Sequence, residues 1–192
     1  MRYWFFLAAA FLAIAALGGA DISRADWRDA DFPRVDDADF SNYLIKKTTR
    51  AEVPYNGKYH PGTIVVDTGE RVLYLVLKDN RAIQYGIGVG REGYAWSGTH
   101  PITRKAEWPG WTPPPEMRKR QPWLPAHMEG GPGNPLGARA LYLGSTLYRI
   151  HGTNEAHTIG RAVSSGCIRM LNNDVKDLYD RVHVGTRVVV LR

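Results

Sequence analysis

Thr63-Ile64-Val65-Val66-Asp67-Thr68-Gly69-Glu70-Arg71-Val72-Leu73-Tyr74-Leu75-Val76-Leu77 sets the architecture. Two runs of β-branched and apolar residues, 63–67 and 72–77, flank Thr68-Gly69-Glu70, and such runs around a glycine-bearing turn predict a hairpin. Working outward, a third strand is expected at 82–89. Strands resume at 139–143 and 146–150 around Gly144-Ser145, and a last one covers 186–191. A single helix stands among them: Val175, Leu178, Tyr179 and Val182 recur at i, i+3, i+4 and i+7. Asn172 or Asn173 suits its cap and Asp174 its first turn. Strands of this number with one helix predict a mostly β fold, a sandwich or barrel-like arrangement of mixed sheets with one helix in the C-terminal region.

The rest of the chain bounds what that fold can be. Of 192 residues, 44% are hydrophobic and 23% charged. Met1-Arg2, an apolar run over 3–17 and Gly18-Gly19-Ala20 read as an export signal over 1–20, with a mature start at Asp21. The run has 15 residues, short of the ~20 that span a bilayer as a helix, so a cleaved signal is expected and no stable transmembrane anchor. Export would place the protein in the periplasm or cell envelope. About 170 residues remain, which suits one domain.

Charge divides this remainder. Residues 21–40 carry seven Asp against three Arg, and with a total of +6, of which Arg2 supplies one, this leaves +9 from Ser41 onward. Residues 21–54 are read as an acidic linker or wrapping segment bearing Trp27, Phe32 and Phe40, and 55–192 as the folded domain. A basic body attracts anionic partners through its summed field. For an exported protein these are wall polymers, acidic peptides and lipid head groups, and no nucleic acid is expected, since no basic stripe alternates with stacking aromatics.

Within the domain, 106–137 holds eight of twelve prolines, Trp108, Trp111 and Trp123, and the cluster Arg118-Lys119-Arg120. Such a segment in a compact domain is either disordered or a functional lid. An ordered flap is expected, with its tryptophans as the flap core, because proline lowers the entropy lost on ordering. Two cofactor readings fail. Gly86-Ile87-Gly88-Val89-Gly90 is followed by loop-like residues rather than the helix that a phosphate loop opens. His60, His100, His127, His157 and His183 lack metal-ligand spacing and one cysteine makes no thiolate zinc site, so neither metal nor cofactor is expected.

That cysteine, Cys167, has no partner in its own chain, which rules out a disulfide framework. Composition leaves two readings, an inert small hydrophobe and a reactive thiol. The surrounding residues bear on the choice. The strand ending at Ile150 delivers His151-Gly152-Thr153-Asn154, and sixteen residues after the histidine comes the cysteine in Ser164-Ser165-Gly166-Cys167-Ile168-Arg169-Met170. Catalysis at sulfur needs a base to ionise the thiol, a tight turn to present it and donors for the oxyanion formed on the attacked carbonyl. His151 supplies the first, Gly166 permits the second, and the amides around Gly166 and Cys167 are candidates for the third.

His-Gly-Thr-Asn followed by Ser-x-Gly-Cys-Ile-Arg-Met resembles the signature of the YkuD-type L,D-transpeptidases, bacterial enzymes that remodel peptidoglycan. The similarity runs from about Tyr55 to Arg192 and includes Arg104-Lys105-Ala106-Glu107-Trp108-Pro109 and Asn134-Pro135-Leu136-Gly137. By this resemblance Cys167 is the nucleophile and His151 the general base, later the acid to the leaving amine. Gly166 falls on the glycine of the oxyanion turn, with Ser165 beside it where many members carry histidine. Ser164, Arg169, Asn154 and Gly152 fall to substrate binding or support. The implied reaction is acyl transfer from a tetrapeptide stem, releasing D-alanine, to an amine of a neighbouring stem or an envelope protein. The alternatives are a hydrolase, an L,D-carboxypeptidase acting through the same thioester, and an idle wall-binding module. The sequence does not set the oligomeric state.

Overall fold

A computed structural model describes residues 50–192. The expected signal at 1–20 and the acidic segment as far as residue 49 lie outside the described residues. Ten strands follow in chain order: β1 (Ala51–Pro54), β2 (Ile64–Asp67), β3 (Val72–Val76), β4 (Arg81–Gly90), β5 (Gly98–Glu107), β6 (Arg139–Leu143), β7 (Arg149–His151), β8 (Ala162–Ser164), β9 (Ile168–Met170) and β10 (Arg187–Leu191). The helices are α1 (Pro115–Arg120) and α2 (Asn172–Arg181), and Ala156–Thr158 forms a 3-10 turn.

The expected hairpin is present. β2 and β3 pair antiparallel with Ile64 opposite Leu75 and Val66 opposite Leu73, and all four side chains are buried. The sheet then runs β4-β3-β2-β10-β5-β6-β7-β9 and closes where β9 returns to β4, while β1 and β8 also pair with β4. Three of these pairings are parallel, β10 with β2, β7 with β9 and β4 with β8. The result is a mixed, barrel-like closed sheet. Its inner face carries Tyr85, Ile87, Leu141, Leu143, Ile150 and Met170, each completely buried.

α2 packs against β6 and lays Val175 and Leu178 on this core. Removing a buried leucine such as Leu178 costs about 2–5 kcal/mol in transfer and cavity terms. At the far end of α2, Lys105 Nζ donates to the carbonyls of Tyr179 and Val182, each at 2.6 Å. A cation is favourable there because the last carbonyls have no partner within the helix. The start of α2 differs from expectation. Leu171 occupies the cap position without a side-chain bond, and Asn172, the first helical residue, is used elsewhere. Its Oδ1 accepts from the Ala138 amide at 2.9 Å and its Nδ2 donates to the Thr153 carbonyl at 3.0 Å.

Other departures have physical reasons. Residues 51–54, assigned by sequence to the acidic segment, form β1 against β4. β5 has no apolar run, and of its ten residues only Ile102 is buried. It is a strand because β10 and β6 flank it. The glycines of β4 lead into a turn in which Tyr94 N donates to Arg91 O, with no helix following.

The proline-rich segment 106–137 is folded, but its tryptophans are not its core. Trp123 is 76% exposed and Trp108 38%. Its order comes from elsewhere. Trp111 and Met128 exchange two backbone hydrogen bonds of 2.8 Å. Pro115 starts α1 at a position where its missing N–H is no loss. The buried Asn134 side chain donates to the carbonyls of Met128 and Glu129 and accepts from the Leu136 amide.

Candidate active site

β7 and β9 lie side by side and parallel, pairing Ile150 with Ile168 and His151 with Arg169. Strand alternation sends Ile150 into the core, and both Arg149 and His151 line a cavity of about 550 Å³. Cys167, immediately before β9, lines the same cavity, as do Ser164, Ser165 and Arg169. The flap walls the other side with Trp111, Pro114, Met117 and Leu136 among others. The histidine and the sulfur, sixteen residues apart in sequence, therefore face one space.

The cysteine sits on a braced turn. Ser164 Oγ donates to the Cys167 carbonyl at 2.6 Å and accepts from the Gly166 amide at 3.1 Å. Gly166 has φ +102°, and a Cβ there would lie 2.5 Å from Tyr148 Cε1, so both conformation and space demand glycine. The Gly166 carbonyl accepts from Trp96 Nε1 at 2.7 Å, and Trp96 stacks on Tyr148 at 4.4 Å between ring centroids. Of the two amides expected to serve an oxyanion, that of Gly166 is thus engaged by Ser164. The Cys167 amide has no acceptor among the described residues.

His151 is buried, and its Nδ1 lies 2.5 Å from the Gly152 carbonyl. A carbonyl oxygen only accepts, so Nδ1 carries the proton and Nε2 is the free base. Gly152 is held in turn: a Cβ on it would stand 2.2 Å from Asn172 Oδ1. Asn172 thereby fixes the chain that presents the carbonyl to the imidazole. Burial lowers the His151 pKa to about 3, Arg169 and Arg149 push the same way, and the Gly152 and Leu136 carbonyls oppose them. For Cys167, only partly exposed, burial raises the thiol above its ordinary value, and Arg149 first and then Arg169 pull it back. Both shifts favour the uncharged forms, a neutral imidazole beside a thiol.

Arg169 Nη1 makes a 2.7 Å ion pair with Glu155 Oε2 and donates to Thr158 Oγ1 at 3.3 Å, bracing the 3-10 turn while lining the cavity. Ser165 Oγ accepts from Arg91 Nη1 at 3.3 Å. Asn154 lies off the cavity wall and donates to the Gly133 carbonyl at 3.0 Å, and Gly152 is also off it. Arg149, Trp96, Tyr148 and Asn172 were missed by sequence reasoning. Alternation along β7 was a signal for Arg149, since it puts residue 149 on the face of His151.

The family described as YkuD, L,D-transpeptidase catalytic domain, matches residues 61–190. "Probable L,D-transpeptidase ErfK/SrfK" of Escherichia coli (strain K12) is 44% identical over 137 residues, covering 67% of this chain and 43% of that protein. "Putative L,D-transpeptidase YkuD" of Bacillus subtilis (strain 168) is 37% identical over 139 residues, covering 72% of this chain and 70% of that protein. This chain therefore spans less than half the length of the first relative. Among solved structures, a Brucella melitensis protein described as a probable carnitine operon oxidoreductase is 49% identical, with a TM-score of 0.52 over 78% of this chain and 98% of that one. L,D-transpeptidase 3 from Mycobacterium tuberculosis, in complex with a faropenem-derived adduct, shares the fold at 15% identity and a TM-score of 0.54, covering 68% of this chain and 60% of that one. With the match over 61–190 and these relatives, the chain belongs to the YkuD family of L,D-transpeptidase catalytic domains.

Proposed function

We propose that this protein is a peptidoglycan L,D-transpeptidase acting through a cysteine thioester in the cell envelope. The observation that carries the reading is the single cavity faced by both Cys167 and a His151 whose Nδ1 is tied to the Gly152 carbonyl. His151 Nε2 takes the Sγ proton as sulfur attacks the carbonyl of the third stem-peptide residue, diaminopimelate in the family's usual substrate. A C–S bond forms and the oxyanion is met by the Cys167 amide. The C–N bond to D-alanine then breaks, and His151 returns the proton to the departing amine. An acceptor amine, from another stem or an envelope protein, loses a proton to His151 and attacks the thioester. Sulfur leaves as a thiolate and recovers that proton. Splitting one amide exchange into two steps lowers each barrier, and the flap limits water at the thioester, favouring aminolysis over hydrolysis. The basic body suits a substrate rich in carboxylates.

The test is incubation of the purified protein with defined tetrapeptide muropeptides. Cross-linked dimers with released D-alanine are expected, and none from Cys167→Ala. Tripeptides alone would make it a hydrolase, and no product together with no mass adduct from a carbapenem would overturn the enzymatic reading. Export is checked by fractionation, which should recover the protein outside the cytoplasm.

A further inference from the structure

The charges on the cavity wall are unequally matched. Glu116 pairs with Lys119 at 2.9 Å, and Arg169 pairs with Glu155 at 2.7 Å. Arg120 is exposed on α1 and keeps its hydration. Arg149 is different. It makes no ion pair among the described residues, and its Nε is buried without a hydrogen-bond partner. Its Nη2 donates to the Leu147 carbonyl at 3.1 Å, and Cys167 Sγ lies 3.9 Å from that same oxygen. Guanidinium and sulfur thus converge on one acceptor, beside the cavity and on the face of β7 that carries His151.

A partly buried cation with no anion costs desolvation energy, which the Leu147 carbonyl and the face of Tyr142, 5.4 Å from the guanidinium, return only in part. That cost is offset once the neighbouring sulfur becomes an anion. Arginine suits the task because it stays charged over the whole range in which a thiol titrates. We propose that Arg149 is a positioning residue that acts as the counter-cation of the Cys167 thiolate, holding the sulfur ionised after its proton has moved to His151 Nε2. This deepens the reading of Cys167 as the reacting group and rests on it. The other ionisable groups around the sulfur are His151 on β7, Arg169 on β9, Tyr148 before β7, Tyr94 and Arg91 beyond β4, and Glu116 and Arg120 on the flap. Of the cations, Arg169 and Arg120 are accounted for above, and Arg91 reaches Ser165 instead. Arg149 also heads the influences that lower the Cys167 pKa.

The experiment is the rate of Cys167 alkylation by iodoacetamide against pH in the full chain, for wild type, Arg149→Gln and Arg149→Lys, with folding checked by circular dichroism. Arg149→Gln keeps a donor for the Leu147 carbonyl and removes the charge. Its profile should move up by about one pH unit or more, the usual effect of losing an opposite charge within 4–6 Å, slowing alkylation about tenfold at neutral pH. Arg149→Lys should stay close to wild type. If Arg149→Gln does not fold, Arg149→Met gives the same reading. An unmoved profile in the charge-free variant overturns the proposal, as does a weaker KM for muropeptide with an unmoved profile, which would make Arg149 a substrate carboxylate clamp. If the profile shifts as stated but wild type transfers no acyl group, the counter-cation role stands and the transpeptidase reading falls.

Discussion

Acid should unfold this protein in part through one buried imidazole. In the folded chain His151 resists protonation down to a pKa of about 3, whereas an exposed histidine in the unfolded chain titrates near 6.5. Between those values the unfolded state binds a proton that the folded state refuses, so stability is full above pH 6.5 and drains as pH falls toward 3. Each pH unit is worth about 1.4 kcal/mol, so moving from pH 7.5 to 4.5 removes about 2.7 kcal/mol through this group alone. The assay is urea unfolding of wild type and His151→Asn at both pH values. Asparagine can keep a donor for the Gly152 carbonyl, and its smaller volume costs stability equally at both. Asp174, whose carboxyl burial raises, titrates in both proteins and drops out of the difference. At a denaturant slope of roughly 2 kcal/mol per molar, the wild-type midpoint should fall about 1.3 M further than that of the variant. Equal falls would refute the reasoning, because they would mean that the imidazole is hydrated or already charged in the folded state.

Ser164→Ala removes both bonds that brace the cysteine turn and should cost about 1–3 kcal/mol by leaving buried groups unpaired, with slower acylation by a carbapenem in stopped-flow fluorescence. Gly152→Ala places a methyl 2.2 Å from Asn172 Oδ1 and should lower the melting temperature by several degrees, at least as much as a loss of ~1 kcal/mol produces in a domain of this size, while also lowering kcat for muropeptide. Lys105→Met leaves the Tyr179 and Val182 carbonyls without their cation. It should cost about 1–3 kcal/mol, measured by urea unfolding, with kcat/KM unchanged because Lys105 does not line the cavity.

The hairpin and α2 were legible because their apolar periods are long and clean. β5 was not, since its alternation is almost wholly polar and its strand character comes from β10 and β6 on either side. β8 and β9 have three residues each, too few for a period to register. At the site, Cys167 and His151 were visible as residue types set in a specific string. The Asn172 link and the flap wall were not, because they depend on which segments meet in space. Asn172 shows the difference well: sequence offers it as a helix cap, while the closed sheet brings it against Gly152 and Ala138, where it has more to bond.

β4 is the strand to which the Cys167 turn owes its alignment. Its first half is zipped to β1 and β3, its second to β8 and β9, the two short strands that bracket Cys167. A slide of one residue along it would swap inside for outside and carry the Cys167 loop off its partner. Local breathing of that loop therefore has to tug on the barrel's seam, and the amides of 86–90 should exchange with deuterium at close to the global unfolding rate, although Gly90 abuts the turn at Gly166.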